Sequence, residues 1–295
     1  MQSNIRILLG ISLLLIGALS ALYYFGADEP SKETYRAVEP VTSDSSLLAT
    51  KFIEVPAIKD NEEKVSNPKN RFAYNVHYPS IGLIGHPNLA KEANTVIKTY
   101  VNDQISAFRE NVADLNMDNA PRDFVSDFTM RWSTTLISPT IVSFRFDSSE
   151  YIAGSAHPNS RTSILIYDIE RRTILSTSDI FASSTLALPF LSTYARTKLT
   201  NTSTEVTPEE EELIVMGTAP TAENFASVAI TPLGLVVIFN PYQVAPYARG
   251  IQEVRIPYSE LTQLTAKRIN TAVGLASTNI REATPEAVPE DLILQ

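Results

Sequence analysis

The chain has no cysteine, so it can carry neither a disulfide nor a lipid-modified cysteine anchor. It has three histidines, His77, His86 and His157. Without thiolates, a metal site would need these histidines together with carboxylates. None of the three has a second ligand at a metal-binding spacing such as HExxH. No P-loop and no GxGxxG stretch is present. Basic charge is in deficit: 24 Lys and Arg stand against 33 Asp and Glu, a net charge of −9. Binding to phosphate backbones calls for a basic face, so a nucleic-acid partner is not expected. No metal, no cofactor and no catalytic residue is expected, and the chain reads as a non-enzyme.

What is present begins with an apolar run. Ile7 to Phe25 carries no charge, follows Arg6 and precedes Asp28 and Glu29. A membrane-spanning helix needs about 20 apolar residues, and this run meets that length. Residues 7–25 are therefore expected to be a membrane anchor, with residues 1–6 as a cytoplasmic stub and the remainder outside. Ala18-Leu19-Ser20 also fits a signal-peptidase site, which would give a secreted or periplasmic product. Residues 26–68 are rich in proline and acidic charge and read as a disordered linker. The run Leu47–Val55 within it is a candidate docking strand.

The folded part is expected from about residue 69. Phe72, Tyr74 and Val76 alternate with small or polar residues, as in a half-buried strand. Leu89, Ala93, Ile97, Val101, Ile105, Phe108 and Val112 recur at helical steps. Residues 124–136 and 142–146 alternate again and suggest an antiparallel pair. Ser163–Ile169 is a further strand. Leu186–Leu199 reads as a helix with Pro189 confined to its first turn. Thr207-Pro208-Glu209-Glu210 is a capping box. Ser227–Thr231, Leu235–Phe239 and the segment around Val254 and Ile256 are strands, and Ser259 is expected to cap a last helix from Glu260 to about Leu275. The expected fold class is α+β, antiparallel sheets with packed helices, preceded by one N-terminal transmembrane helix. Provisional boundaries divide it into subdomains 69–148 and 149–280, with a disordered tail at 281–295.

The most distinctive stretch is 234–250, GLVVIFNPYQVAPYARG. Leu235–Phe239 has no polar residue and reads as a strand buried on both faces. Pro241 ends it, and two Pro-Tyr pairs follow. Together with Tyr78-Pro79, Gly154-Ser155-Ala156-His157-Pro158, Tyr167-Asp168 and Asp179-Ile180-Phe181, this stretch resembles the extracytoplasmic module of RsiV, a lysozyme-sensing membrane anti-sigma factor, and of PdaC, a peptidoglycan deacetylase. The resemblance spans roughly residues 70–262. Only about six residues precede the apolar run, and the chain ends soon after Leu275, so neither the sigma-binding domain nor the deacetylase domain is expected here. The resemblance implies a binding function directed at a lysozyme-like protein or at cell-wall glycan.

Tyr242, Tyr247 and His157 are the candidate binding residues. Tyrosine offers a rigid apolar face and a hydroxyl, which suits sugar rings and protein hot spots. The structural alternative is that both tyrosines pack on the sheet and fix the loop. His157 could likewise serve only to fix its loop by hydrogen bonding. A hydrolase or deacetylase using His157 with nearby carboxylates, Asp168 and Asp179 among the candidates, is the enzymatic alternative. A third reading is an assembly partner for another envelope protein.

Overall fold

The computed structural model describes residues 54–113, 125–201, 206–261 and 264–282. Strands β1 (Ala57–Asn67) and β2 (Phe72–Gly82) form an antiparallel hairpin, and helix α1 (Pro87–Ala113) follows. β3 (Ser126–Ile137), β4 (Ile141–Tyr151), β5 (Asn159–Asp168) and β6 (Thr173–Leu175) then complete a six-stranded sheet in sequence order. Helices α2 (Thr177–Ile180), α3 (Ser184–Thr200) and α4 (Pro208–Gly217) lead into a second, antiparallel sheet, β7 (Val228–Thr231), β8 (Gly234–Phe239) and β9 (Gln252–Pro257). Helix α5 (Lys267–Glu282) closes the described chain.

The period-two pattern of β4 and β5 explains the layering. On one face Val142, Phe144, Phe146, Leu165 and Tyr167 pack with Phe72, Val76 and Met130 against Ile97, Val101 and Phe108 of α1. On the other face Ile141 and Ile166 pack with Leu191 of α3, Val237 and Phe239 of β8, Ile256 of β9 and Ile269 of α5. Successive side chains of a strand point to opposite faces. A strand between two covering layers therefore has no solvent side, and Ile141–Phe144 are all buried.

The sheet is mixed where antiparallel pairing was expected. β2 and β3 run parallel, with Phe72 opposite Ser126 and Val76 opposite Met130. The intervening helix is the cause: α1 spans the sheet and returns the chain to the end where β2 began. Beyond Val76 the two strands part. There the Asn94 side chain takes the place of a neighbouring strand, accepting from Ile81 N–H at 2.6 Å and donating to its carbonyl at 2.9 Å.

Four other expectations need correcting. The linker does not extend to residue 68, because all eleven residues of β1 pair with β2. Its exposed charges made it resemble solvated chain, yet Ile58 and Val65 pack at the core margin. A boundary at 148/149 falls inside β4, whose ladder with β5 runs unbroken from Ile141 to Glu150. The last helix starts at Lys267, not Glu260. Before it, Thr265 bridges Phe181, and Leu264 and Ala266 exchange backbone bonds with Ala182 and Ile180, which holds the segment extended. Pro189 lies in the second turn of α3, since that helix begins at Ser184. The segments 1–53 and 283–295 lie outside the described residues, and with them the anchor at 7–25, most of the linker and of the run Leu47–Val55, and most of the tail. Among the described residues no helix is long and apolar enough to cross a membrane.

Two ion pairs fix the first sheet to its surroundings. Asp168 is fully buried at the end of β5 and accepts both Arg268 Nε–H and NH2–H from α5, and the Arg171 backbone N–H at 2.7 Å. Removing one partner of a buried pair leaves an uncompensated charge. Arg268→Met should therefore cost about 3 kcal/mol, read from chemical denaturation. On the other side, Glu63 of β1 receives Lys98 of α1 and the Tyr74 hydroxyl at 2.8 Å. The Lys98 hydrogen bond, then that of Tyr74, holds the Glu63 carboxyl below its ordinary value. The unfolded chain thus takes up this proton first, so the stabilisation exists above the ordinary pKa and is lost as pH falls through the folded-state value. Glu63→Gln should lower stability at pH 7 and reduce the stability lost between pH 7 and acid, measured by urea denaturation across pH.

Candidate functional site

The segment after β8 is built by polar closures. Asn240 follows the last residue of β8 and turns its side chain onto β5 of the other sheet. Its Oδ1 accepts from Thr162 N–H at 2.7 Å and its Nδ2 donates to the Thr162 carbonyl at 3.1 Å. The turn closes with Tyr242 N–H donating to the Ala245 carbonyl and Gln243 N–H to the Asn240 carbonyl. Val244 and Ala245 are buried and anchor the loop. Tyr242 has φ 69°, the left-handed region, which costs a non-glycine residue about 1–2 kcal/mol. The loop also lies hard against the end of α4: a Cβ on Gly217 would stand 2.0 Å from the Gln243 carbonyl oxygen.

A short 3-10 turn, Tyr247–Arg249, comes next. Arg249 donates to both carboxylate oxygens of Glu210, at 2.5 and 2.8 Å. Glu210 also accepts the Thr207 N–H at 3.1 Å, completing the capping box of α4. Arg249, and then the Thr207 N–H, hold the Glu210 carboxyl below the usual carboxylate range. One carboxylate thus starts a helix and clamps the turn that carries Tyr247.

The loop between β4 and β5 meets this turn. Tyr247 O–H donates to the Pro158 carbonyl at 2.5 Å, and His157 Nδ1 lies 2.9 Å from the same oxygen. A carbonyl only accepts, so Nδ1 carries the proton. The His157 and Tyr247 rings stack at 4.0 Å between centroids, 26° from parallel, and Tyr242 lies 5.6 Å from Tyr247 at 33°. The three candidate residues, far apart in sequence, form one aromatic cluster. Their roles differ: Tyr247 is half-buried and bonded, while Tyr242 is 53% exposed. The expectation that both tyrosines pack inward holds in part for Tyr247 and fails for Tyr242.

Around Thr162, which Asn240 bonds, runs a polar network: Arg145 bonds Asp147 and Glu253, and the Thr162 hydroxyl donates to Asp147. The other candidate groups are spent elsewhere. Asp168 serves Arg268, and Asp179 accepts the Ser176 N–H at the start of α2. His77 lies between Asp60 at 2.8 Å and Glu62 at 3.5 Å on the first hairpin. Among the described residues no group of three or more histidine or acidic side chains is placed to hold a metal. An open groove, about 820 Å³, lies between α1 and the end of β2. Two of its polar side chains, Asn94 and Lys98, are already bonded to Ile81 and Glu63. Asn240, Gly217 and the second role of Glu210 were not legible in the sequence. The capping box gave Glu210 its first role, and nothing local indicated Arg249 as its partner.

Residues 178–259 match the model of the family described as protein of unknown function (DUF3298). Over 198 residues the chain is 24% identical to the peptidoglycan-N-acetylmuramic acid deacetylase PdaC of Bacillus subtilis (strain 168), a match covering 67% of this chain and 40% of that protein's length. The fold is shared with the crystal structure of a DUF3298 family member from Bacteroides fragilis NCTC 9343, with TM-score 0.54, 17% identity, and coverage of 76% of this chain and 99% of that one. A DUF3298 family protein from Pseudomonas aeruginosa PAO1 aligns with TM-score 0.46 at 12% identity over 72% of this chain and 94% of its own. Tyr242 and Tyr247 lie within the matched segment, whereas His157 precedes it in the loop between β4 and β5, so the ring cluster joins that segment to the six-stranded sheet.

The backbone at Tyr242 gives a direct test. Tyr242→Gly and Tyr242→Ala both lose the ring, but only glycine relieves the left-handed conformation. The glycine variant should be the more stable of the two by about 1 kcal/mol, measured by urea denaturation.

Proposed function

We propose that this chain is a membrane-attached, extracytoplasmic binding module for a cell-envelope ligand, not an enzyme, and that its ligand is peptidoglycan glycan. The observation that carries this reading is the presentation of Tyr242. A large ring is held half-exposed on a backbone conformation unfavourable to it, on a loop tied down by Asn240, Gly217 and the Glu210–Arg249 pair. Strain maintained at an exposed aromatic residue is a mark of functional sites. Sugars stack on such rings. Similarity to a protein named for acting on peptidoglycan supports the choice of glycan. Attachment would come from residues 7–25. The hydrolase alternative has less support, since the His157 ring stacks on Tyr247 and hydrogen-bonds a backbone carbonyl rather than a carboxylate.

Co-sedimentation with purified insoluble peptidoglycan tests the proposal. The wild type should pellet with the glycan, and Tyr242→Ala should weaken binding by about tenfold or more while remaining folded. A wild type left in the supernatant sinks the glycan reading. The net charge of −9 favours encounter with a basic protein, so a lysozyme is the second ligand to assay. Acetate release from the same glycan, abolished in His157→Ala, would establish the enzyme instead.

A further inference from the structure

The six-stranded sheet closes some of its open edges and leaves one open. Asn94 satisfies Ile81 where β3 diverges from β2, and Asn240 satisfies Thr162 on the side of β5 away from β4. Each asparagine offers one acceptor and one donor to one residue's N–H and C=O, the geometry of a strand neighbour. β1 receives no such treatment. It is the terminal strand, eleven residues long, in unbroken register with β2, and it contains no proline. Among the described residues no strand pairs with its outer edge. A long regular edge of this kind is a template for another strand.

The charges on β1 select the occupant. Two β1 strands related by a two-fold axis normal to the sheet pair antiparallel and keep α1 of both copies on one face. Directly opposite residues then share a face, so the axis must pass through a residue, and each choice makes a different set of pairs. Centring on Asn61 sets Asp60 against Glu62. Centring on Glu62 sets Asp60 opposite Lys64 but places Glu62 against its own copy on the exposed face, and centring on Lys64 places Lys64 against its copy there. Centring on Glu63 sets Glu62 opposite Lys64 of the second copy, twice by symmetry, and Asp60 opposite Ser66. The one like pair, Glu63 with its copy, lies on the α1 face, where each Glu63 already holds its own Lys98 and Tyr74. Glu62 and Lys64 are both exposed in the single chain. Opposite charges directly across an antiparallel pair are stabilising, and like charges are destabilising.

We infer that β1 is a homodimerisation edge, and that two copies join their six-stranded sheets antiparallel about Glu63. The partner is a second copy of this chain. Such a dimer is isologous, the commonest form of closed assembly, and it presents two ring clusters on one body. This inference is independent of the ligand assigned to those rings.

The full chain, detergent-solubilised, should show a concentration-dependent dimer by multi-angle light scattering. Glu62→Lys or Lys64→Glu alone converts two favourable pairs into two like pairs and should raise the dissociation constant about tenfold. Glu62→Lys with Lys64→Glu restores complementarity and should restore the dimer. Because the wild type has no cysteine, a mixture of Glu62→Cys and Lys64→Cys chains should form an intermolecular disulfide faster than either chain alone. Both positions are exposed, so unchanged denaturation midpoints confirm that each variant is folded. A chain that stays monomeric across the concentration series overturns the inference. So does a double reversal as weak as the single ones, which would mean that Glu62 does not face Lys64 across the dimer. No excess of the mixed disulfide overturns the register.

Discussion

The arrangement of β4 and β5 between two apolar layers is the constraint on which the rest of the structure depends. Adjacent residues there serve different cores: Ile141 faces α3 and the three-stranded sheet and Val142 faces α1, and Ile166 and Leu165 divide in the same way. Fully burying one such side chain is worth about 1.5–3 kcal/mol, so these strands tolerate little change in register. A one-residue slip would exchange the two faces along their whole length. The hairpin that joins them ends in the loop carrying His157. That loop is small, polar and exposed, and it joins the less buried ends of β4 and β5.

Against this hairpin the loop after β8 is placed by polar contacts, because apolar packing in that loop ends with Ala245. Asn240 reads the backbone of Thr162 across the two sheets, and Tyr247 reads the carbonyl of Pro158. Arg249 and Glu210 fix the far end of the turn from behind. These bonds are directional, whereas apolar burial is not. They can therefore set ring against ring at 4.0 Å where a hydrophobic contact would have left the loop to slide. The rings are functional candidates because of that precision and because the outermost of them is not buried by it.

Side-chain amides recur as substitutes for missing strands. Asn94 and Asn240 each occupy a place where the backbone ladder runs out, and each satisfies an N–H and a C=O that would otherwise need water or another chain. β1 meets the same problem differently. Its exposed face carries Asp60, Glu62 and Lys64, and in the register proposed above Glu62 meets Lys64 of a second copy. In this sheet, edge chemistry separates a finished boundary from one that can be extended.

The sequence by itself determined the α+β class, the long helix α1, the capping box at Thr207, the buried strand β8 and the resemblance that the DUF3298 match supports. Each of these rests on a local pattern: a period of 3.6 or 2, a turn residue, a cap. It also brought forward Tyr242, Tyr247 and His157 as separate candidates. Only the tertiary structure decided that they form one cluster, because the bonds that unite them span separations of up to 89 residues and leave no mark on neighbouring positions. The same reason covers the corrections. β1 looked like linker because an edge strand of charged residues shows little apolar alternation until its partner is known. Residues 264–266 looked helical until the bridge to Phe181 held them extended. The parallel step from β2 to β3 depends on where α1 lands, which its own periodicity does not specify. Local propensity fixed which elements form, and long-range hydrogen bonds and shared burial fixed where they meet.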